Sequence, residues 1–92
     1  LKSLDISNFD ISKVTSLDWM FDNSYNLVTI YVNDKWSTAK VTSSDKMFNN
    51  CTSLVGGAGT TFNSAYADKT YARVDGGPNS ETPGYLTLKS SN

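Results

Sequence analysis

The fold is decided by a stretch that occurs twice: residues 1–21, LKSLDISNFDISKVTSLDWMF, recur as residues 27–48, LVTIYVNDKWSTAKVTSSDKMF. The offset between the copies is 26 at their start (27 minus 1) and, after one inserted residue near Lys35, 27 at their end (48 minus 21). A fixed period of this length is typical of repeat proteins, in which each copy packs on the next. The repeat therefore predicts that equivalent side chains of the two copies lie side by side.

Each copy contains two different apolar periodicities. Apolar residues alternate in Leu4-x-Ile6 and in Ile30-x-Val32, which is typical of a short strand with one buried face. Residues 17–24 and 44–51 instead place their apolar and small residues at i, i+3, i+4 and i+7, the pattern of about two helical turns. The sequence therefore predicts a strand followed by a short helix in each copy.

Polar residues at both ends of these helical stretches fit helix caps. Thr15 and Thr42 precede the stretches, and a Thr hydroxyl accepts hydrogen bonds from free amides at a helix start. Asn23 and Asn50 lie near their ends, and Asn tolerates the left-handed conformation that ends a helix. We therefore expect each copy to consist of a strand, a loop and a capped short helix.

The two copies are expected to share one core, because a helix of about eight residues is only marginally stable alone in water. Equivalent apolar side chains would pack against each other between copies and supply the missing stability. The predicted core residues are Leu4, Ile6, Phe9, Val14, Leu17, Met20, Phe21, Leu27, Ile30, Val32, Trp36, Val41, Met47, Phe48, Cys51 and Leu54.

The C-terminal part departs from the repeat. A third copy begins at Leu54 and stops at once in the glycine-rich residues 55–59. Residues 71–74 and 85–88 have the composition of two strands, and the turn-forming residues between them predict a β-hairpin that caps the core. We expect a single domain over residues 1–92, divided into a first copy at 1–26, a second copy at 27–53, and a truncated copy with the cap at 54–92.

The composition excludes several classes of function. Eight Lys and Arg against nine Asp and Glu give a net charge of −1, which offers no positive surface to nucleic acid or to an anionic membrane. Histidine is absent and there is one cysteine, so His-based general bases, Cys–His and Ser–His pairs, internal disulfides and His or Cys zinc sites are excluded. The apolar stretches are far too short to span a membrane. The sequence predicts no catalytic, cofactor-binding or metal-binding residues, no cofactor and no enzyme activity.

Three features have both a functional and a structural interpretation. Cys51 is a candidate redox thiol, but its place on an apolar stripe favours a small buried filler. Asp5, Asp10 and Asp18 are candidate calcium ligands, but the second copy does not repeat the set, which favours roles in loops and caps. Residues 56–59 resemble a calcium-binding or phosphate-binding glycine loop, but they lack the required Asp or Lys, which favours a flexible exit from the repeat.

Trp19, Tyr25 and Tyr31 are the candidate ligand contacts. Trp19 and Tyr25 fall off the helical stripe, and Tyr31 lies on the opposite strand face from Ile30 and Val32. Exposed aromatic side chains at these positions would suit contacts with proteins or sugars, whereas packing against a neighbouring copy explains them equally well.

Several motifs match a known family. They are Leu-x-x-Leu-Asp-Ile-Ser-Asn-Phe-Asp at 1–10, Ser-Lys-Val-Thr at 12–15, Met-Phe at 20–21, Met-Phe-Asn-Asn-Cys-Thr-Ser-Leu at 47–54, Tyr-Ala-Arg-Val-Asp-Gly-Gly at 71–77 and Gly-Tyr-Leu-Thr at 84–87. In these residues the chain resembles the BspA-like leucine-rich-repeat surface proteins of bacteria.

The resemblance implies both a fold and a function. The expected fold class is an α/β repeat, a leucine-rich-repeat-like solenoid of short parallel strands and short helices closed by a C-terminal β-hairpin. The expected role is that of an extracellular module on a bacterial cell surface that binds a protein ligand from the host or from bacteria. A carbohydrate-binding module and a structural spacer or cap without a ligand are the alternatives. Because the chain starts at Leu1 in mid-repeat, we expect upstream sequence, with any export signal, to be missing.

Overall fold

Three short strands form one open sheet in the computed structural model, which describes residues 2–89. They are β1 (Ser3–Asp5), β2 (Thr29–Val32) and β3 (Leu86–Leu88). Both strand pairs are parallel, and the order across the sheet is β1-β2-β3. The predictions that involve Leu1 and residues 90–92 lie outside the described residues.

The sheet has one buried face and one outer face. Leu4, Ile30 and Leu86 are register partners, so the predicted adjacency of Leu4 and Ile30 is confirmed. Ile30 and Leu86 are completely buried, because the alternating pattern turns them toward the core. Asp5, Tyr31 and Thr87 form the neighbouring row of register partners. By the same alternation, this row lies on the outer face.

The helices predicted after β1 and β2 do not form. Backbone N–H groups at positions 17, 19, 21 and 23 donate across to carbonyls at positions 43, 45, 47 and 49, over 2.8–3.0 Å. Amides used in this way cannot donate to the carbonyl four residues earlier, as an α-helix requires. The φ angles of Trp19, Asn23, Lys46 and Asn50 are between 54° and 63°, which also breaks a right-handed helix. The two segments are therefore successive tight turns that lie side by side.

The residues predicted as helix caps have other roles. The carbonyl of Thr15 accepts a hydrogen bond from the Thr42 N–H at 2.8 Å, so both Thr residues join the two copies and cap no helix. Asn23 and Asn50 do adopt the left-handed conformation, as expected from their residue type, but within a series of turns. The conformation expected for the two Asn residues is confirmed, but the helices that they were predicted to end do not form.

The predicted C-terminal hairpin is also wrong. Leu86–Leu88 pairs with β2 in parallel, and Val74 forms only an isolated parallel bridge with Leu86. Of the other predicted strand, residues 71–74, only Tyr71 lies in a regular element, the 3-10 helix Lys69–Tyr71, which follows a first 3-10 helix, Ser64–Tyr66. The buried Leu86 extends the apolar row of the sheet, which explains why this segment joins β2 and does not pair back on its own neighbour.

The expected fold class is therefore wrong. Residues 2–89 contain no α-helix and no hairpin, and they form a small open three-stranded parallel sheet with irregular connections, without an evident solenoid. The physical reason lies in the connections: inter-segment hydrogen bonds and left-handed turns replace the local hydrogen bonds on which the predicted strand-and-helix unit depends.

The core lies under the sheet and between the turn segments. Its buried apolar residues are Ile6, Ile11, Leu17, Phe21, Leu27, Ile30, Val32, Val41, Met47, Phe48, Cys51, Leu54, Ala72, Tyr85 and Leu86. Leu4, Val14, Met20 and Trp36 are partly buried and pack against them.

Phe9 was predicted to be in the core and is not, since 55% of it is exposed. Its repeat equivalent, Trp36, is fixed against the C-terminal segment, because its indole N–H donates to the carbonyl of Ala72 at 2.8 Å. Residue 72 belongs to the C-terminal segment, which covers the second copy and leaves Phe9 of the first copy at the surface. Ile11 is buried in the loop after β1, a position that the periodicity did not mark.

Candidate functional site

An apolar cleft opens beside β1, at the edge of the sheet. This β1 cleft has a volume of about 430 Å³ and is lined by Leu4, Ile6, Phe9, Met20, Phe21, Asn23, Ser24, Tyr25, Asn26 and Leu27. Phe9 and Tyr25 are each more than half exposed. The cleft combines the edge strand with the first turn segment, whose apolar side chains come from the repeat. It is an apolar surface that a binding partner could cover.

A second cleft lies in the loops that follow β1 and β2. This loop cleft has a volume of about 440 Å³ and is lined by Asn8, Phe9, Asp10, Ile11, Ser12, Asn33, Lys35 and Trp36. Its shape is set by local side-chain hydrogen bonds. The Ser12 N–H donates to Oδ1 of Asp10 at 2.9 Å, and the Lys35 N–H donates to Oδ1 of Asn33 at 2.8 Å. These turns, which Asp and Asn favour, present polar side chains around one aromatic wall.

Electrostatics in the loop cleft keep Asp10 ionised. Hydrogen bonds from Ser12 lower the pKa of Asp10, and the positive charge of Lys35 lowers it further. One acidic and one basic side chain, Asp10 and Lys35, line the cleft, so its formal charges balance.

The structure places the three predicted ligand contacts on different elements. Trp19 is about half exposed in the first turn segment, and the ammonium of Lys46 lies 4.9 Å from its ring centroid. Tyr25 lines the β1 cleft, and Tyr31 is partly exposed on β2. Trp19 and Tyr31 line neither the β1 cleft nor the loop cleft. The structure thus brings Tyr25 together with Phe9 in one cleft, and it does not bring the three candidates together there.

Cys51 is buried within the core. Its Sγ donates to the carbonyl of Phe21 at 3.0 Å, and burial raises the pKa of its thiol to about 11. A thiol with this pKa is almost entirely protonated at neutral pH and is therefore a poor nucleophile.

The three candidate calcium ligands each take part in separate hydrogen bonds. Asp5 accepts from the Ser7 N–H and forms an ion pair with Lys89. Asp18 accepts from the Ser43 hydroxyl, which joins the two copies. In the part of the chain that the structure describes, no group of three His, Cys, Asp or Glu residues is placed to hold a metal ion.

Sequence reasoning missed a cluster around the carboxylate of Asp75. Asp75 accepts hydrogen bonds from the N–H groups of Ala58, Thr60, Gly77 and Gly84 and from the Thr60 hydroxyl, over 2.5–3.2 Å. Burial acts to raise the pKa of Asp75, but the hydrogen bonds from Thr60, Gly77 and Ala58 outweigh it and hold the pKa at about 2. The carboxylate therefore holds three backbone segments together.

Glycine makes this close approach possible. A Cβ atom added at Gly56 would lie 2.2 Å from the carbonyl oxygen of Gly84 and 2.5 Å from a carboxylate oxygen of Asp75. Gly56 is therefore part of a packed junction, whereas residues 57–59 are exposed. The sequence feature that could have indicated this junction is a run of small residues outside the repeat.

The second missed residue is Tyr85, which is completely buried. Its hydroxyl accepts from the Asn63 N–H at 3.1 Å and has the carbonyls of Asn63 and Tyr66 within 3.1 Å as acceptors. Its ring lies edge-on to Phe48, with centroids 5.0 Å apart. Tyr85 thus fixes the first 3-10 helix to the core of the second copy.

Comparison with known proteins gives one family. The family described as "Mycoplasma protein of unknown function, DUF285" matches residues 2–73, which include both repeat copies and both clefts. No curated protein and no solved structure matches the chain. Among residues 2–89, no helix has the length and apolar character that crossing a membrane requires.

Proposed function

The chain belongs to the DUF285 family, and we propose that it is a non-catalytic interaction module of a bacterial surface protein, acting in adhesion by binding another protein. The family is related to the BspA-like repeat proteins, which supports this role. In this proposal the ligand is a protein of the host or of a bacterial surface, and the module works outside the cell.

The β1 cleft is the observation that carries the proposal. Phe9 and Tyr25 are 55% and 53% exposed beside an apolar floor that includes Met20 and Leu27. Exposed apolar surface of this kind is costly in water, and aromatic side chains on it are typical energetic centres of protein interfaces. The edge of β1 adds backbone groups that an extended segment of a partner can pair with.

The chemistry of the chain supports a role without catalysis. Histidine is absent from the sequence, and the thiol of Cys51 is buried with a raised pKa. The carboxylates described above are engaged in hydrogen bonds that stabilise loops. The β1 cleft is lined by apolar, aromatic, amide and hydroxyl side chains, and the loop cleft adds one acidic and one basic side chain, Asp10 and Lys35.

Binding to immobilised extracellular-matrix and plasma proteins, and to bacterial surface proteins, tests the proposal. We expect saturable binding to at least one protein, weakened by Tyr25→Ser about tenfold or more, because Tyr25 is an exposed aromatic contact. Leu88→Ser is the matched control, since Leu88 is 48% exposed on β3, away from the cleft. A chain that binds none of these proteins, or equal losses in the two variants, would contradict the proposed function.

A further inference from the structure

The loop cleft lies among the loops that follow β1 and β2. β1 ends at Asp5 and β2 ends at Val32, and the cleft is lined by residues 8–12 and by Asn33, Lys35 and Trp36, in the loops that follow these strands. Binding residues are commonly found on loops that a rigid scaffold positions, as the sheet does here. The volume of about 440 Å³ is within the roughly 300–1,000 Å³ of small-molecule sites.

The aromatic wall of the loop cleft is open to a ligand. Phe9 is 55% exposed, so a large part of its ring is free to stack on an apolar face. Trp36 forms part of the same wall, but its indole N–H already donates to the carbonyl of Ala72 at 2.8 Å. Both side chains therefore contribute apolar ring surface, the kind of surface that packs on the C–H groups of a flat ring.

The polar groups around this wall select for a neutral, hydroxyl-rich ligand. Asn8, Asp10 and Lys35 are exposed and line the cleft. A carboxylate accepts hydrogen bonds, an ammonium donates them and an amide does both, so adjacent hydroxyl groups match all three. Because the charges of Asp10 and Lys35 oppose each other, neither an anion nor a cation gains from the pair as a whole.

From this combination we propose that the loop cleft binds a neutral pyranose sugar, with the C–H face of the ring against Phe9 and its hydroxyl groups on Asn8, Asp10 and Lys35. This site and its ligand class differ from those of the protein-binding β1 cleft. The two clefts share Phe9, so Phe9 cannot separate them in an experiment. Asp10 and Lys35 belong to the loop cleft alone and can do so.

Nuclear magnetic resonance titration of the 92-residue chain with neutral methyl pyranosides tests the proposal. We expect saturable shifts of backbone amides in residues 8–12 and 33–36 and of the Trp36 indole N–H. Sorbitol, which has the hydroxyl groups but no ring, should cause no saturable shift of these signals. Asp10→Asn and Lys35→Met should each weaken binding about tenfold, since each removes a charge-assisted hydrogen bond. Asp34→Asn is the matched control, because Asp34 is an exposed neighbour that does not line the cleft.

Several outcomes would overturn the inference. Equal shifts with sorbitol, or no saturable shift with any pyranoside, would show that the cleft does not select a sugar ring. Tighter binding of the corresponding uronic acids would show that the ligand is an anion. Shifts confined to residues 20–27 would place the sugar in the β1 cleft. Displacement by short apolar peptides would assign the loop cleft to a polypeptide, and the protein-binding assay would still report on the β1 cleft separately.

Discussion

The two ends of the sheet differ in how their apolar residues are covered. At the β3 end, the ring of Tyr85 is completely buried against Phe48, and its hydroxyl is hydrogen-bonded to the segment that begins the first 3-10 helix. At the β1 end, Phe9 and Tyr25 remain more than half exposed around an open cleft. The first repeat copy forms the β1 end, whereas β3 and Tyr85 belong to the non-repeating residues 54–89, which pack onto the second copy.

This difference separates the residues that stabilise the fold from those of the proposed binding surface. The C-terminal segment packs Tyr85 and Ala72 onto the second copy and adds the hydrogen bonds of Asp75, so most of the fully buried residues lie toward the β3 end. The first copy keeps partly exposed apolar residues that contribute less to folding. Substitutions near the covered end should therefore unfold the chain, and substitutions at the open end should mainly change what it binds.

The largest effect is expected for Phe48→Asp. Phe48 is completely buried between Phe21, with ring centroids 5.4 Å apart, and Tyr85. An unpaired charge at this position costs several kcal/mol, which is comparable to the whole stability of a small domain. We expect no cooperative thermal unfolding transition by circular dichroism.

Lys46→Asp is the control for Phe48→Asp. Lys46 is exposed two residues away, and its main contact is the ring of Trp19. Loss of this exposed contact costs about 0.5–1 kcal/mol, so the variant should retain a cooperative transition. If both variants stay folded, Phe48 is not at the centre of the core.

A smaller effect is expected for Asp75→Asn. The amide that replaces one carboxylate oxygen is a donor, and it would face the N–H groups and the hydroxyl that now donate to Asp75. Breaking hydrogen bonds to a charged group costs about 1.5–3 kcal/mol. Urea unfolding should show this loss, whereas Asp34→Asn, at an exposed loop position, should leave the midpoint almost unchanged.

The same variant should change how stability depends on pH. The pKa of Asp75 is about 2 in the folded chain, below its usual 3.8, so its contribution is complete above about pH 4 and is lost as the pH falls toward 2. The pKa of Asp5 is also lowered to about 2, first by its hydrogen bond with Lys89, but this pair is exposed and salt screens it. At high salt, Asp75→Asn should therefore remove part of the loss of stability between pH 4 and 2, and the rest comes from Asp5, Asp10, Asp18 and Asp68, whose pKa values hydrogen bonds also lower. An unchanged pH profile would show that the carboxylate is not the group that holds this end.

The strands of the repeat were predictable because their information is local and periodic. The alternation around Leu4 and Ile30 identifies β1 and β2, and the offset of 26 between the copies gives their register. The turn segments were not predictable as turns, because their i to i+3 hydrogen bonds, such as that from the Met20 N–H to the Leu17 carbonyl, repeat at nearly the spacing of a helical turn. The hydrogen bonds that decide between them join residues about 26 positions apart.

The C-terminal segment was the least predictable region. The sequence around Tyr85 and Leu86 is compatible with two pairings: the second strand of a hairpin, or a strand parallel to β2. The second pairing is the one observed. The contacts that choose between these two pairings come from Asp75, Thr60 and Asn63, whose side chains have no periodic pattern. The exposure of Phe9 was not predictable for the same reason, because it depends on which repeat copy the C-terminal segment covers.

The smallest effect on folding is expected for Tyr25→Ser at the open end. Tyr25 is 53% exposed, and its hydroxyl makes one exposed hydrogen bond, to Asn23, at 3.3 Å. Its loss should change the free energy of unfolding by about 0.5 kcal/mol at most. The same substitution at the covered end, Tyr85→Ser, removes a buried ring and should cost about 3–5 kcal/mol.

Urea unfolding of these two variants therefore compares directly how much each end contributes to the free energy of unfolding. Tyr25→Ser should also reduce the binding of a hydrophobic dye by the folded chain, because Tyr25 is one of the exposed rings of the β1 cleft. Equal destabilisation by the two substitutions would mean that Tyr25 is packed in solution as firmly as Tyr85. The β1 end would then be a second covered end, and its cleft would have no exposed surface to offer a protein partner.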